Sequence, residues 1–233
     1  YIMSKFKFIE VNKDLLPKTK GRRIDGHRFY EIDGKNYPSI TTVLNIRKKE
    51  GLTKWRESVG EGAANWEMAR AARRGKSTHT LIEQYLKSET PSERSVLPLG
   101  LFKLLKPYVD QINNIHLLES IMYSHKLTVA GQVDCVAEYN GKLSVIDFKT
   151  ANKERQESWI DNYFLQCTAY AIMYEEIFKK PIEQIVILLA GEDGSVACYK
   201  KNRKDYEESL GKAIQDFYKY YENINKDKIA ISK

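Results

Sequence analysis

Residues 131–150 read Gly131-Gln-Val-Asp-Cys-Val-Ala-Glu-Tyr-Asn-Gly-Lys-Leu-Ser-Val-Ile-Asp-Phe-Lys-Thr150. Two runs rich in β-branched and aromatic residues flank Asn140-Gly141, a pair suited to a tight turn with positive φ at both positions. The pattern predicts a hairpin with arms at 129–139 and 142–150. Side chains alternate along a strand, so Asp147 and Lys149 point to the same face. Asp134, on the other arm, comes near Asp147. Carboxylates and a lysine gathered in a buried place are costly when nothing compensates them. A divalent cation, which takes hard oxygen ligands, neutralises the carboxylates. Beside it, Lys149 is placed to orient an attacking water or to stabilise charge developing on a phosphate. An isolated Asp-x-Lys triplet on a solvated edge strand would carry no such meaning. The setting makes the difference: Val-Ile-Asp-Phe-Lys-Thr follows Gly-x-x-Asp by one hairpin.

Outward from this hairpin the chain divides in two. Downstream, the sequence predicts a helix over 154–178, strands at 182–190 and 195–200, and a final amphipathic helix over 204–223 with Leu210, Ile214, Phe217 and Tyr221 on one side. A further strand is read at 119–127. Upstream, residues 27–40 form a hairpin turning at Asp33-Gly34, and 41–88 are mostly helical with breaks near Gly51 and Gly60–Gly62. A loop at 91–98 and a short helix at 99–113 follow. The reading is one domain of 1–233, with a helical part at 41–113 and a core at 117–225. The fold class is α/β, a mixed central sheet flanked by helices with a helical N-terminal part.

Three more elements bear on chemistry. His79 and Glu83 stand four apart on a helix, hence on one face. An imidazole with carboxylates suits Mn²⁺ or Mg²⁺ and tilts the preference toward Mn²⁺. Alternatively, His79 simply pairs with Glu83. In the helix after the Asp147 strand, Gln166 and Tyr170 share a face that meets a phosphate or a base, or else only packs. Basic and aromatic residues interleave over 54–76, where Arg73, Arg74 and Lys76 lie next to His79. Cations for phosphates and aromatic rings for bases are what a single-strand grip requires. Gly75-Lys-Ser-Thr78 imitates the end of a phosphate-binding loop, but position 70 is Arg where that loop needs Gly, and no buried strand precedes it. A nucleotide triphosphatase is rejected.

Composition narrows the class. Among 233 residues, 42% are hydrophobic and 30% charged, too apolar for a disordered chain. The longest apolar run, Ile185 to Ala190, is far short of the roughly 18 residues that span a bilayer, so no membrane role is expected. The stretch Met3-Ser-Lys-Phe-Lys-Phe lacks an apolar signal core. The expected location is therefore intracellular, in the cytoplasm of a bacterium or a phage-infected host. The 27 Lys against 11 Arg fit an A·T-rich source genome. Three cysteines, at 135, 167 and 198, exclude a disulfide framework, a Cys-rich zinc site and a four-cysteine iron–sulfur cluster. The net charge of +7 permits a polyanionic partner.

Together these elements resemble the PD-(D/E)XK nuclease superfamily in its RecB-like branch. Within it, the chain looks like the mitochondrial genome maintenance exonuclease family and its viral and bacterial relatives. The carrying residues are Pro38-Ser-Ile-Thr-Thr-Val-Leu, Gly75-x-x-x-His79-x-x-x-Glu83, the stretch 131–150, and Leu165-Gln-Cys-Thr-Ala-Tyr170. The resemblance implies a metal-dependent exonuclease on single-stranded DNA, including flaps and frayed ends. It implies Mg²⁺ or Mn²⁺ held by His79, Asp134, Asp147 and the Phe148 carbonyl, with Lys149 as the catalytic lysine. Gln166 and Tyr170 match a Gln-x-x-x-Tyr signature, and Glu119 matches an acidic position before the Gly-x-x-Asp strand. Too few cysteines separate the chain from the iron–sulfur members. No basic amphipathic leader supports mitochondrial import. The rival readings are a structure-specific endonuclease of the same superfamily and a catalytically silent single-stranded DNA-binding module. The second is disfavoured because Asp134, Asp147 and Lys149 are all present.

Overall fold

The computed structural model of the chain describes residues 5–157 and 160–231. It opens with three short strands, β1 (Arg22–Ile24), β2 (His27–Ile32) and β3 (Lys35–Pro38), paired antiparallel in that order. Both turns are Asp-Gly, with Asp25, Gly26, Asp33 and Gly34 all at positive φ. Helices α1 (Ile40–Asn45), α2 (Lys49–Val59), α3 (Glu61–Leu86) and α4 (Val96–Val109) follow. A five-stranded sheet then forms in the order β4 (Ile112–Ser124), β5 (Val129–Tyr139), β6 (Lys142–Ala151), β7 (Gln184–Gly191) and β8 (Val196–Asn202). Helix α5 (Asp161–Phe178) joins β6 to β7, and α6 (Glu207–Ile231) ends the described chain.

Among the strands of the described residues, β6 and β7 are the one pair that runs parallel. Parallel neighbours cannot be joined by a tight turn, and α5 supplies the crossover. From Ile185 to Gly191 every residue of β7 is buried, as expected of a strand covered on both faces. On one face α3 and α4 contribute Ile82, Leu86, Leu101 and Leu105 to a cluster with Ile146, Phe148, Val186 and Leu188. On the other, α1, α5 and α6 pack on Val145, Ile185 and Ile187. The N-terminal meander rests on β5 through Tyr30, Ile32, Tyr37 and Ala130. Among the described residues, no helix is long and apolar enough to cross a membrane.

Several element limits differ from the sequence reading. Strand β4 begins at Ile112, not 119, so the sheet starts before residue 117. Asn113-Asn114 hides this start: Asn114 takes positive φ, and the register shifts between Asn113 and Leu117, so the pair sits in a strand irregularity rather than a loop. Gly51 lies inside α2, whereas Gly60, at φ 86°, breaks α2 from α3. Helix α4 already contains Pro98, because proline is tolerated in a first turn that lacks acceptors for its amides. Helix α5 starts at Asp161 rather than 154. The Glu154 amide donates instead to Asp193 Oδ2, 2.9 Å away on the β7–β8 turn, which holds the chain out of a helix there.

Gly131 lets β5 and α5 approach closely. A Cβ there would lie 2.9 Å from Tyr170 Cε1 and 3.2 Å from Ile40 Cγ2. We expect Gly131→Ala to cost about 1–3 kcal/mol by overpacking. Urea denaturation tests this, and an unchanged midpoint would mean that Tyr170 has room to withdraw.

Candidate metal centre

The β5–β6 ladder pairs Tyr139 with Lys142 and continues to Cys135 opposite Ile146. At the next position a side chain takes over: Asp134 Oδ2 accepts the Phe148 amide at 2.9 Å. This fixes one oxygen of Asp134 against β6 next to Asp147. On the far side of β5, Glu119 stands between the pairs Leu118–Cys135 and Ser120–Val133, which places it opposite Asp134. Its φ of 44° is unusual for a non-glycine residue within a strand, and such backbone strain clusters at functional sites.

Helix α3 brings His79 to the same place. Its Nε2 lies 2.6 Å from the Phe148 carbonyl oxygen. A carbonyl can only accept, so Nε2–H donates, and a metal-binding lone pair on this ring can come only from Nδ1. Nδ1 faces Asp134 Oδ2 at 3.6 Å and Glu119 Oε1 at 4.0 Å. One ligand atom from each of His79, Glu119 and Asp134 lies within 4.8 Å of the others. Glu119, which the sequence offered only in support, is thus a full member of the group. The Phe148 carbonyl, expected as a ligand, is here the acceptor that sets the orientation of His79. Glu83 does not pair with His79: it receives Lys87 Nζ at 2.5 Å, from the residue that caps the end of α3.

Asp147 is buried and belongs to the adjoining half of the site. Lys149 Nζ stands 2.8 Å from its Oδ2, yet neither oxygen receives a well-directed hydrogen bond among the described residues. Burial pushes the Asp147 carboxyl up against the opposing pull of Lys149. Burial would lower Lys149, but Asp147 and then Asp134 outweigh it and hold the ammonium charged. Burial and the Asp134 charge push Glu119 up to about 7. Crowded, poorly compensated carboxylates beside an imidazole are the donor set of Mg²⁺ or Mn²⁺, so these residues fit a divalent cation.

On the other side, α5 supports the lysine. Gln166 Oε1 accepts from Lys149 Nζ at 3.3 Å, and Gln166 Nε2 donates to Tyr170 Oη at 3.2 Å. Both α5 side chains, expected to meet a phosphate or base, are buried, and their side-chain contacts are with Lys149 and with each other. Tyr163 lies beneath the same ammonium, 5.0 Å from ring centroid to Nζ. Tyr163 carries no motif of its own in the sequence; its spacing of three and seven from Gln166 and Tyr170, which marks one helix face, is the signal that points to it.

The three upstream cations separate. Arg73 and Lys76 are exposed, and Lys76 borders a cleft of about 360 Å³ shared with Gly75, His79, Thr80, Glu83 and Glu119. Arg74 is buried, which corrects its expected role on a phosphate. Thr150 Oγ1 at 3.1 Å, Asn152 Oδ1 at 2.5 Å and Glu192 engage its guanidinium, tying α3 to β6 and to the β7–β8 turn.

The sequence profile of the PD-(D/E)XK nuclease superfamily matches residues 48–232. Among curated proteins, the human mitochondrial genome maintenance exonuclease 1 is 31% identical over 175 residues, covering 69% of this chain and 51% of its own length. The mouse protein of that name is 29% identical over 181 residues, covering 71% and 53%. The Xenopus tropicalis protein is 30% identical over 179 residues, covering 69% and 50%. The chain therefore spans about half the length of the curated relatives it matches.

Cation and proton should compete for this group. In cation-free protein the raised Glu119 stabilises the fold in its protonated form; that contribution is complete below about pH 4 and is lost as pH rises through about 7. A cation takes the ionised form, so the rise in Tm given by Mn²⁺ should be small near pH 5 and grow toward about pH 8. Asp134→Asn should remove most of it. A shift independent of pH in the wild type, or retained in Asp134→Asn, would contradict the site.

Proposed function

Because the chain belongs to the PD-(D/E)XK nuclease superfamily, whose profile covers residues 48–232, we propose that it is a divalent-cation-dependent exonuclease of single-stranded DNA. Free ends and flaps are the substrates, in replication, repair or recombination. The observation that carries this reading is buried Asp147 paired with the half-buried Lys149 beside the His79–Glu119–Asp134 group. The exonuclease names of the relatives agree with it.

His79, Glu119, Asp134 and Asp147 would hold Mg²⁺ or Mn²⁺, with Mn²⁺ favoured by the imidazole. When bound, such a cation supplies a Lewis acid that offsets charge on the scissile phosphate. Lys149, kept cationic by Asp147 and Asp134, directs its remaining protons at the attacking water and the phosphate oxygens. Gln166 and Tyr170 hold that ammonium in place. Arg73 and Lys76, exposed on α3 beside the cleft, contact backbone phosphates. Trp66, 62% exposed on the same helix, offers a ring to a base, as a single-strand grip requires.

Digestion of end-labelled single-stranded, duplex and flap DNA, with a covalently closed single-stranded circle alongside, tests the reading. Linear single strands should be degraded in Mg²⁺ or Mn²⁺ and the circle should survive. Lys149→Ala should lose at least about a hundredfold in rate while still binding DNA, the scale of removing a charge-stabilising donor. Cleavage of the circle would make the protein an endonuclease, and wild-type rates in Lys149→Ala would remove the lysine from the chemistry.

A further inference from the structure

Tyr163 carries two cations. Lys149 Nζ lies 5.0 Å from its ring centroid, and Lys48 Nζ lies 5.3 Å from it. The two ammoniums are therefore no more than about 10 Å apart. Lys48 ends the short 3-10 turn Ile46–Lys48 between α1 and α2, so it reaches the site from a different layer of the fold than Lys149.

The charges around Lys48 are unbalanced. Lys149 has Asp147 at 2.8 Å, and Arg47 has Asp161 at 3.1 Å and Asn162 at 2.6 Å. Among the described residues neither Lys48 nor Arg155 has a carboxylate within ion-pair distance, and the charges acting on Lys48 are those of Arg155, Lys149 and Arg47. The Lys48 side chain is exposed to solvent, and partial desolvation together with these cations lowers its pKa. A lysine whose neighbours are all cationic gains most from an anion that arrives from outside. An ammonium is also a point charge that binds a phosphate without demanding a planar partner. The Arg47-Lys48-Lys49 run carries no motif, and as sequence it reads as an ordinary solvated helix start.

We propose that Lys48, seated on Tyr163, is a substrate-positioning residue that grips the phosphodiester next to the one being cleaved. With both ammoniums against one ring, a strand gripped by Lys48 presents its neighbouring phosphate to Lys149. This inference rests on the nuclease reading above, and it names which phosphates of the nucleic acid the site takes.

The test uses Lys48→Met, which keeps an apolar stem over Tyr163 and removes the charge, and Lys48→Arg, which restores charge. With an end-labelled single-stranded oligonucleotide in Mg²⁺, Lys48→Met should raise KM about tenfold with a much smaller change in kcat, and should reduce the log–log salt slope of binding by about one. Lys48→Arg should recover most of the loss, and Tm should match the wild type in both. Unchanged KM and salt slope in Lys48→Met would overturn the proposal. A lowered Tm with kcat reduced and KM unchanged would overturn it too, by showing a structural role. Fluorescence anisotropy of the same oligonucleotide in Ca²⁺ separates the two readings. If the wild type binds through Lys48 but cleaves nothing, the grip stands and the nuclease reading fails. If it cleaves but binds independently of Lys48, the grip fails alone.

Discussion

Three carboxylates converge where β5 parts from β6, and the arrangement of the site follows from how the fold tolerates them. Asp147 is buried beside a single lysine and lacks a well-directed hydrogen bond. Asp134 is held by one backbone amide, and Glu119 stands opposite it on a left-handed backbone. Carboxylates so placed either keep protons or take a cation. Burial already drives Glu119 and Asp147 toward the proton, so a divalent ion relieves an electrostatic cost present in the fold itself.

The two layers of helix divide the work. Helix α3 covers one face of the sheet and supplies His79, and the Arg74 network with Thr150, Asn152 and Glu192 anchors it there. Helix α5 covers the other face and supports Lys149 through Gln166, with Tyr170 behind it. Tyr170 sits close to β5 because residue 131 has no side chain. The position of the lysine thus depends on a backbone approach some distance from the chemistry. That chain of contacts explains why a glycine opens the Gly-x-x-Asp strand: it serves packing against Tyr170, and no positive φ is involved.

Much of this was legible in the sequence because it is local. The Asn140-Gly141 turn fixes the register of β5 and β6, and the alternation along 145–149 puts Asp147 and Lys149 together. What depended on tertiary contact was not legible. Nothing in the sequence distinguishes Arg73 from Arg74, yet one is exposed and the other is enclosed by Glu192, which is far away in the chain. Glu119 gains its place from a strand start masked by Asn113-Asn114. Gln166 and Tyr170 were identified as a pair, but only the packing of α5 turns them from ligand contacts into supports for Lys149. Lys48 carried no signal until α1 and α5 set it over Tyr163.

The central claim is that His79, Glu119, Asp134 and Asp147 form one divalent-cation site beside Lys149. A crystal structure of the protein grown with Mn²⁺, with anomalous data collected at the manganese edge, tests it most directly. The account predicts a strong anomalous peak within coordination distance of Asp134 and Asp147, with His79 or Glu119 completing the ligand set. A structure at saturating Mn²⁺ with no peak among these residues, or with its only peak elsewhere on the molecule, would contradict it.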